Sequence, residues 1–391
     1  MSKFVYADNA ATTAVSQDVL HAMLPYFAER YGNPSSIYSV GRSAREGVDK
    51  ARRQTADALG AKPEEIVFTS GGSESDNQAI RGAAAKCAAK GRHLITTAIE
   101  HHAVLHTMRA LEKEGFTITY LRPEPDGTVL PETLEAAIRP DTTLVSIMYA
   151  NNEIGTIQPI PAFVQICRAR GILFHTDAVQ AVGHVPIDAE QEGIDLLSLS
   201  AHKFHGPKGV GALYIRKGVR LPSLIEGGTQ ERGRRAGTEN TPGIVGLGEA
   251  LFRAAAGMEE RMERVARLRD RLCDGLLAIP HTRLNGSRAH RLAGNLNISI
   301  DGIQAEGLLL LLDQNGICAS AGSACATGAV QPSHVLTAIG LPEEAAHAAL
   351  RLTLDDVNTD EDVDYIIETI TRLVQHLRSL SPAWGPAQTT H

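Results

Sequence analysis

The chain has 391 residues, room for about two to three domains and a core large enough to carry a cleft, so a peptide hormone or a single small module is excluded. Its 38 Lys and Arg against 45 Asp and Glu leave a net charge of −7, which argues against a general nucleic-acid binder and for an ordinary soluble protein. With 43% hydrophobic and 21% charged residues, disorder is not expected, and 36 Gly with 18 Pro at no fixed period indicate many tight turns.

The N-terminal MSKFVYADNAATT lacks an apolar signal core, and the longest aliphatic run, Leu308 to Leu312, is far short of the ~18 residues a membrane helix needs. Five cysteines, at 87, 167, 273, 318 and 325, form no CxxC pair and are odd in number, so a disulfide framework or zinc knot is not favoured. A reducing, cytoplasmic setting without membrane or nucleic-acid partners is the expectation.

In chain order, short apolar runs alternate with helix-period segments. IVFTS (66–70), HLITT (93–97), TLVSIMYA (143–150), ILFHTD (172–177), DLLSLSAHK (195–203) and GALYI (211–215) read as strands, with helices over 75–90, 102–114 and 160–170 between them. This alternation predicts an α/β fold with a mostly parallel central sheet covered by helices on both faces. A mixed apolar and charged pattern over 243–278 is long enough to bridge two domains, and the boundary is placed inside it near residue 260. Beyond it, LNISI (296–300), EGLLLLLDQ (306–314), ALRLTL (349–354) and a closing helix over 360–380 form a smaller α+β unit. The expected partition is a large domain over 15–260 and a small one made of 1–14 with 261–391. The tail SPAWGPAQTTH is expected to fray, with Trp384 either a packing anchor or a functional residue. No internal repeat is visible.

Several segments carry chemistry. Gly71, Gly72 and Ser73 follow a strand and open a helix, offering free backbone N–H groups to an anion such as phosphate, although Ser before Glu is equally an ordinary cap. Lys203 leaves an apolar strand among Ser200, His202 and His205, where desolvation lowers an amine's pKa and makes it usable for a Schiff base. Asp177 ends another strand and is a candidate partner for a protonated pyridine nitrogen, or simply a helix cap. Glu100, His101 and His102, with His175, His202 and His205, invite a metal reading, but no HExxH spacing supports one; a strand-end His can instead stack on an aromatic ring or move protons. Around Cys325 the run ICASAGSACATGA consists almost wholly of small residues, suggesting a loop that brings a thiolate into a cleft, while Cys318 reads as a buried hydrophobe.

Taken together, YADNAATT (6–13), YGNPSS (31–36), FTSGGSESDN (68–77), EHHAVL (100–105), NNEIGTIQPI (151–160), HTDAVQAVG (175–183), LSAHKFHGPKGVGALY (199–214), GGTQERGRRAGTEN (227–240) and SAGSACATGAVQPSHVL (320–336) resemble the class V, aminotransferase-like pyridoxal phosphate enzymes, specifically the cysteine desulfurases. RRAGTEN, the Cys325 segment and LSPAW are most similar to the nitrogen-fixation (NifS) type. The resemblance implies a type I pyridoxal-phosphate transferase fold and a homodimer. It gives Lys203 the Schiff-base role, Asp177 the pyridinium, and His101 a place stacked on the cofactor ring. Asn152 and Gln180 are implied to contact the ring and its phenolic oxygen. Gly72, Ser73, Ser200 and His202 would form the phosphate cup, completed by Thr238 of the other subunit.

Arg351, with Asn152, would hold the substrate carboxylate, and Cys325 would receive sulfur from L-cysteine as a persulfide, releasing L-alanine. In that scheme Lys203 removes the Cα proton and Lys203 or His101 handles later transfers. The implied acceptor is an iron-sulfur scaffold protein, for nitrogenase clusters among others. No intrinsic metal site is implied, only a transient contact of the Cys325 persulfide with a cluster shared with the scaffold. Two departures, Tyr38 in place of the frequent His and RLTLDD (351–356) in place of an RFSLG-like ending, remove none of these residues. A selenocysteine lyase or cysteine sulfinate desulfinase on the same fold, or a non-catalytic sulfur-assembly scaffold, are the competing readings.

Overall fold

A computed structural model of the chain describes residues 3–321, 332–381 and 384. Among them the strands are, in chain order, β1 (Val5–Tyr6), β2 (Ile66–Thr69), β3 (His93–Thr97), β4 (Thr117–Leu121), β5 (Thr142–Ser146), β6 (Leu173–Asp177), β7 (Leu196–Ser200), β8 (Gly211–Ile215), β9 (Thr282–Leu284), β10 (Asn295–Ile300), β11 (Ile317–Cys318) and β12 (Ala349–Thr353). Seven of them form the central sheet in the order β2-β8-β7-β6-β5-β3-β4. Strands β3 to β7 run parallel, while β8 is antiparallel to both β2 and β7.

The sheet is buried on both faces, as parallel sheets are. Ile66, Phe68, Ile95, Val145, Phe174, Leu197, Ala212 and Tyr214 enter one apolar cluster. Their strand neighbours Val67, Leu94, Leu144, Leu196 and Leu213 enter another on the opposite side, capped by the helices Gly72–Cys87 and His102–Lys113. The period-2 alternation of side chains places consecutive apolar residues in different cores, which is why these strands read as short, largely apolar segments without a polar face.

Several details differ from the sequence reading. The strand expected over 143–150 ends at Ser146, where the chain turns toward the site. Edge strand β4 was not foreseen, since TITYL is short, half-exposed and follows directly on a helix. The pattern over 243–278 resolves into two helices, Thr241–Ala255 and Met258–Leu277, separated at Gly257, whose φ of 64° is the left-handed conformation glycine tolerates.

A second core lies beyond that break. The antiparallel sheet β12-β10-β9 packs with the helices Met258–Leu277, Ala305–Gln314 and Asp360–Leu380, and Val5 and Ala7 of the N-terminal arm join the same cluster. Parallel pairing of β1 with β11 ties the arm to it. A smaller cluster of Ile99, Met148 and Ile154 with Val335, Leu336 and Ala349 joins the two halves beside the cavity described next. Trp384 lies under Arg378, 4.2 Å from guanidinium to ring centre, and edge-on to His281 at 5.3 Å. No helix among the described residues is long and apolar enough to cross a membrane.

Candidate active site

A cavity of about 370 Å³ opens at the carboxyl ends of the parallel strands, where open α/β sheets bind ligands. Each strand delivers one part. β2 runs into Gly72 and Ser73, β3 into His101, β5 into Asn152, β6 ends on Asp177, and β7 leads through Ser200 to His202 and Lys203. Gln180 and Arg351 line it as well, so the sequence candidates meet in one place, with two exceptions. Cys325 lies outside the described residues, and Thr238 is exposed and not among the lining residues.

The Lys203 amine donates to the carbonyls of Ala10 at 2.6 Å and Ala11 at 2.8 Å. Burial and then the Arg351 guanidinium push its pKa down from 10.5 to about 8, with Asp177 and Asp8 pulling the other way. An amine depressed in this way is a nucleophile near neutral pH while still surrounded by acceptors. The Ala10 carbonyl also accepts from Gln180 Nε2 at 3.0 Å, so the N-terminal arm forms part of the wall.

Opposite stands an acidic group. Asp177 is buried and accepts the Val179 N–H at 2.9 Å. Asp76, on the second turn of the helix that starts at Gly72, is 1% exposed, and its Oδ1 has no hydrogen-bond partner. Carboxylate atoms of Asp76 and Asp177 and a ring nitrogen of His101 lie within 4.8 Å of one another. Burial raises the pKa of both acids, and each faces the other's charge or that of neighbours. Behind them His175 is held neutral, its pKa driven to about 3 by burial, with its nitrogens on Ser146 Oγ (2.8 Å) and Ser198 Oγ (3.0 Å). Glu100 is also buried; its pKa rises to about 8 although Oε1 accepts from Thr97 Oγ1 and the Met148 N–H. His101 caps the helix His102–Lys113, its Nδ1 accepting from the Ala103 N–H at 3.1 Å.

The other end suits an anion. Gly71 has φ 153° and ψ −177°, a backbone conformation that an L side chain rarely adopts, and it joins the strand to the helix whose first residues, Gly72 and Ser73, line the cavity. Ser200 and His202 adjoin it, with Lys208 at the mouth of a connecting cleft. Glu74 would oppose an anion here, but its carboxylate is paired with Arg235 at 2.9 Å and accepts the Ser70 N–H. Burial, then Lys203 and Lys208, hold the His202 pKa down to about 4, so it serves as a neutral donor or acceptor.

These features fit pyridoxal 5'-phosphate: an electrophile-ready amine, a buried acid for the ring nitrogen, an orphaned carboxylate oxygen beside it, and a helix N-terminus for the phosphate. At the third side, Arg351 is 3% exposed, donates to Asp8 (2.8 Å) and to the Asn152 carbonyl (3.1 Å), and keeps its Nε buried without a partner. Ser320 exchanges backbone hydrogen bonds with Arg351, and Ser333 donates to the Glu153 carboxylate at 2.5 Å. Both ends of the segment around Cys325 are therefore anchored on the cavity wall.

Sequence reasoning missed Ala10, Ala11, Asp76, Glu153 and His334 as lining residues. For Asp76 a signal existed: it sits four positions after Gly72, the spacing that puts two residues on one helix face. Nothing local marks Ala10 and Ala11, which act through backbone carbonyls.

The aminotransferase class-V family model matches residues 5–366. A protein of Methanosarcina thermophila named cysteine desulfurase IscS is 57% identical over 97% of this chain and 94% of its own length. One of the same name from Clostridium botulinum is 54% identical over 98% of both chains. Among solved structures, a NifS-like protein superposes with a TM-score of 0.91 at 41% identity, covering 96% of this chain and 100% of its own. The structure described as SspA in complex with cysteine gives 0.80 at 40% identity, covering 90% and 99%. A cavity built around Lys203 at the sheet's carboxyl edge, on a chain this similar end to end, has one home: the protein belongs to the aminotransferase class-V family, in its cysteine desulfurase branch.

Proposed function

We infer that the protein is a pyridoxal-phosphate-dependent cysteine desulfurase, taking sulfur from L-cysteine, releasing L-alanine and carrying the sulfur as a persulfide on Cys325. The observation that carries this reading is the Lys203 amine, depressed to about 8 and held between two backbone carbonyls in the cavity that Asp177 also lines. When bound, the cofactor supplies an electron sink for charge developed at the substrate Cα. Lys203 takes the Cα proton as general base. Asp177 would partner the protonated ring nitrogen, His101 would pack on the ring, and Gly72, Ser73, Ser200 and His202 would hold the phosphate. Arg351, whose Nε is buried and unpartnered, binds the substrate carboxylate with Asn152. The Cys325 thiolate attacks the substrate sulfur; an S–S bond forms as the C–S bond breaks with its electron pair left on the carbon skeleton, and two protons, one at Cβ and one returned to Cα from Lys203, complete alanine.

The same reading makes the protein a cytoplasmic homodimer that passes its sulfur to an iron-sulfur scaffold protein, nitrogenase clusters included. Pairing of two copies is supported by the exposed Phe27, Tyr31, Ile37 and Tyr38, and it would bring Thr238 to the partner's phosphate cup. Resemblance of the RRAGTEN and Cys325 segments to the nitrogen-fixation type supports the choice of acceptor, and the Cys325 persulfide would touch an iron-sulfur cluster only in that handover. The division into a large unit over 15–260 and a small one of 1–14 with 261–391 belongs to this reading too, supported by Val5 and Ala7 packing with residues 265–374.

The test is incubation with L-cysteine, quantitation of L-alanine, and mass spectrometry of the protein. A gain of about one sulfur, roughly 32 Da, localised to Cys325 is expected. Undiminished sulfide release by Cys325→Ala would favour the selenocysteine lyase or sulfinate desulfinase alternative instead.

A further inference from the structure

Asp76 has no part in the reaction as derived above, yet it faces the cavity beside Asp177. Its carboxylate is 1% exposed, its Oδ1 lacks any hydrogen-bond partner, and the pair's oxygens and a His101 nitrogen lie within 4.8 Å of one another. Two carboxylates this close and this buried do not both ionise. Which one keeps the proton follows from their partners. Asp177 receives the Val179 N–H and faces Lys203, both of which favour a charge. Asp76 has at Oδ1 only the neutral His175 ring, with Nε2 at 3.7 Å and already engaged with Ser198 Oγ. The Ser198 hydroxyl works weakly toward ionising Asp76, against burial and the charge of Asp177.

We propose that Asp76 is a positioning residue that carries the proton of the pair, leaving a single negative charge on Asp177 for the ring nitrogen of the cofactor. The inference deepens the assignment of Asp177 and rests on it. A neutral Asp76 lets the pair hold one cation without excess charge, and it supplies an O–H in place of an unmet acceptor. Glu100 just beyond β3, His175 on β6, His101 and Asp177 are the titratable groups facing Asp76, with Lys203 acting on Asp177, and none of them is itself substituted when Asp76 alone is replaced.

The experiment compares the full chain, Asp76→Asn and Asp177→Asn, each stripped of cofactor and titrated with pyridoxal 5'-phosphate, and follows the melting temperature of the stripped proteins from pH 5 to 9. Asparagine mimics a protonated acid, so Asp76→Asn is expected to bind within about threefold of the parent, and Asp177→Asn about thirtyfold or more weakly, the loss of one buried charge partner. A raised carboxyl pKa means the folded parent holds a proton that the unfolded chain releases above about 4, so its stability falls as pH rises through the window. Asp76→Asn should show a shallower fall. Cofactor binding as poor in Asp76→Asn as in Asp177→Asn, or parallel melting curves for Asp76→Asn and parent, would overturn the inference while leaving the function intact. A parent that binds no cofactor would overturn the function first.

Discussion

The pH at which Lys203 becomes reactive can be calculated. With its pKa at about 8, some 9% of the amine is neutral at pH 7; at the ordinary value near 10.5 the fraction would be about 0.03%, so burial and Arg351 together make the amine about 300-fold more available. Attachment of pyridoxal 5'-phosphate to the stripped protein needs that neutral amine. Its initial rate, followed by the growth of visible absorbance in a stopped-flow instrument, should therefore rise with pH to a midpoint near 8. The two charged neighbours act with opposite sign. Arg351→Gln removes a positive charge and should move the midpoint upward, whereas Asp177→Asn removes a negative one and should move it downward. A midpoint near 10 in the parent, or the same direction of shift in both variants, refutes the account of the site as a desolvated amine poised between Arg351 and Asp177.

Other consequences are equally direct. Glu100, raised from 4.5 to about 8, keeps a proton the unfolded chain loses, so the parent should lose stability between about pH 4.5 and 8 by at most about 5 kcal/mol, and Glu100→Gln, which cannot ionise, should escape that loss in urea titrations at pH 5 and 8. Arg52 and Glu231 form a buried bidentate pair at 2.8 and 2.7 Å, and Glu231 also accepts the Phe68 N–H; Glu231→Ala strands the guanidinium and should cost about 3–5 kcal/mol by the same method. Cys325→Ala should bind cofactor normally yet form no persulfide with L-cysteine, a result read by spectrum and mass spectrometry on one sample.

Most of the sheet was legible because its strands are buried on two faces. HLITT and GALYI stand out in sequence as short segments of apolar and β-branched residues and coincide with β3 and β8 to the residue. What could not be read is the direction of β8. Antiparallel pairing depends on the long-range match of Ser198 with Leu213 and of Phe68 with Ala212, and neither strand encodes the other's orientation. Likewise β4 escaped notice because an edge strand needs apolar residues on only part of one face, and TITYL carries no more than that.

The site divides along a similar line. Lys203, Asp177 and Gly72 announce themselves because each ends or follows an apolar strand, and at that point a polar residue is conspicuous. Asp76 is inconspicuous, since an acid on the second turn of a helix normally points to water; only the packing of that helix against β7 turns it inward. Ala10 and Ala11 offer no side-chain chemistry at all, yet their carbonyls hold the Lys203 ammonium and bring the N-terminal arm, whose Val5 and Ala7 belong to the second core, to the catalytic amine of the first. Arg351, on β12 of the second sheet, acts on the same amine through its charge. The pKa of Lys203 thus depends on how the two cores sit against each other, so a substitution that loosens the β1–β11 pairing should drift the amine toward its solution value without touching any residue of the cavity.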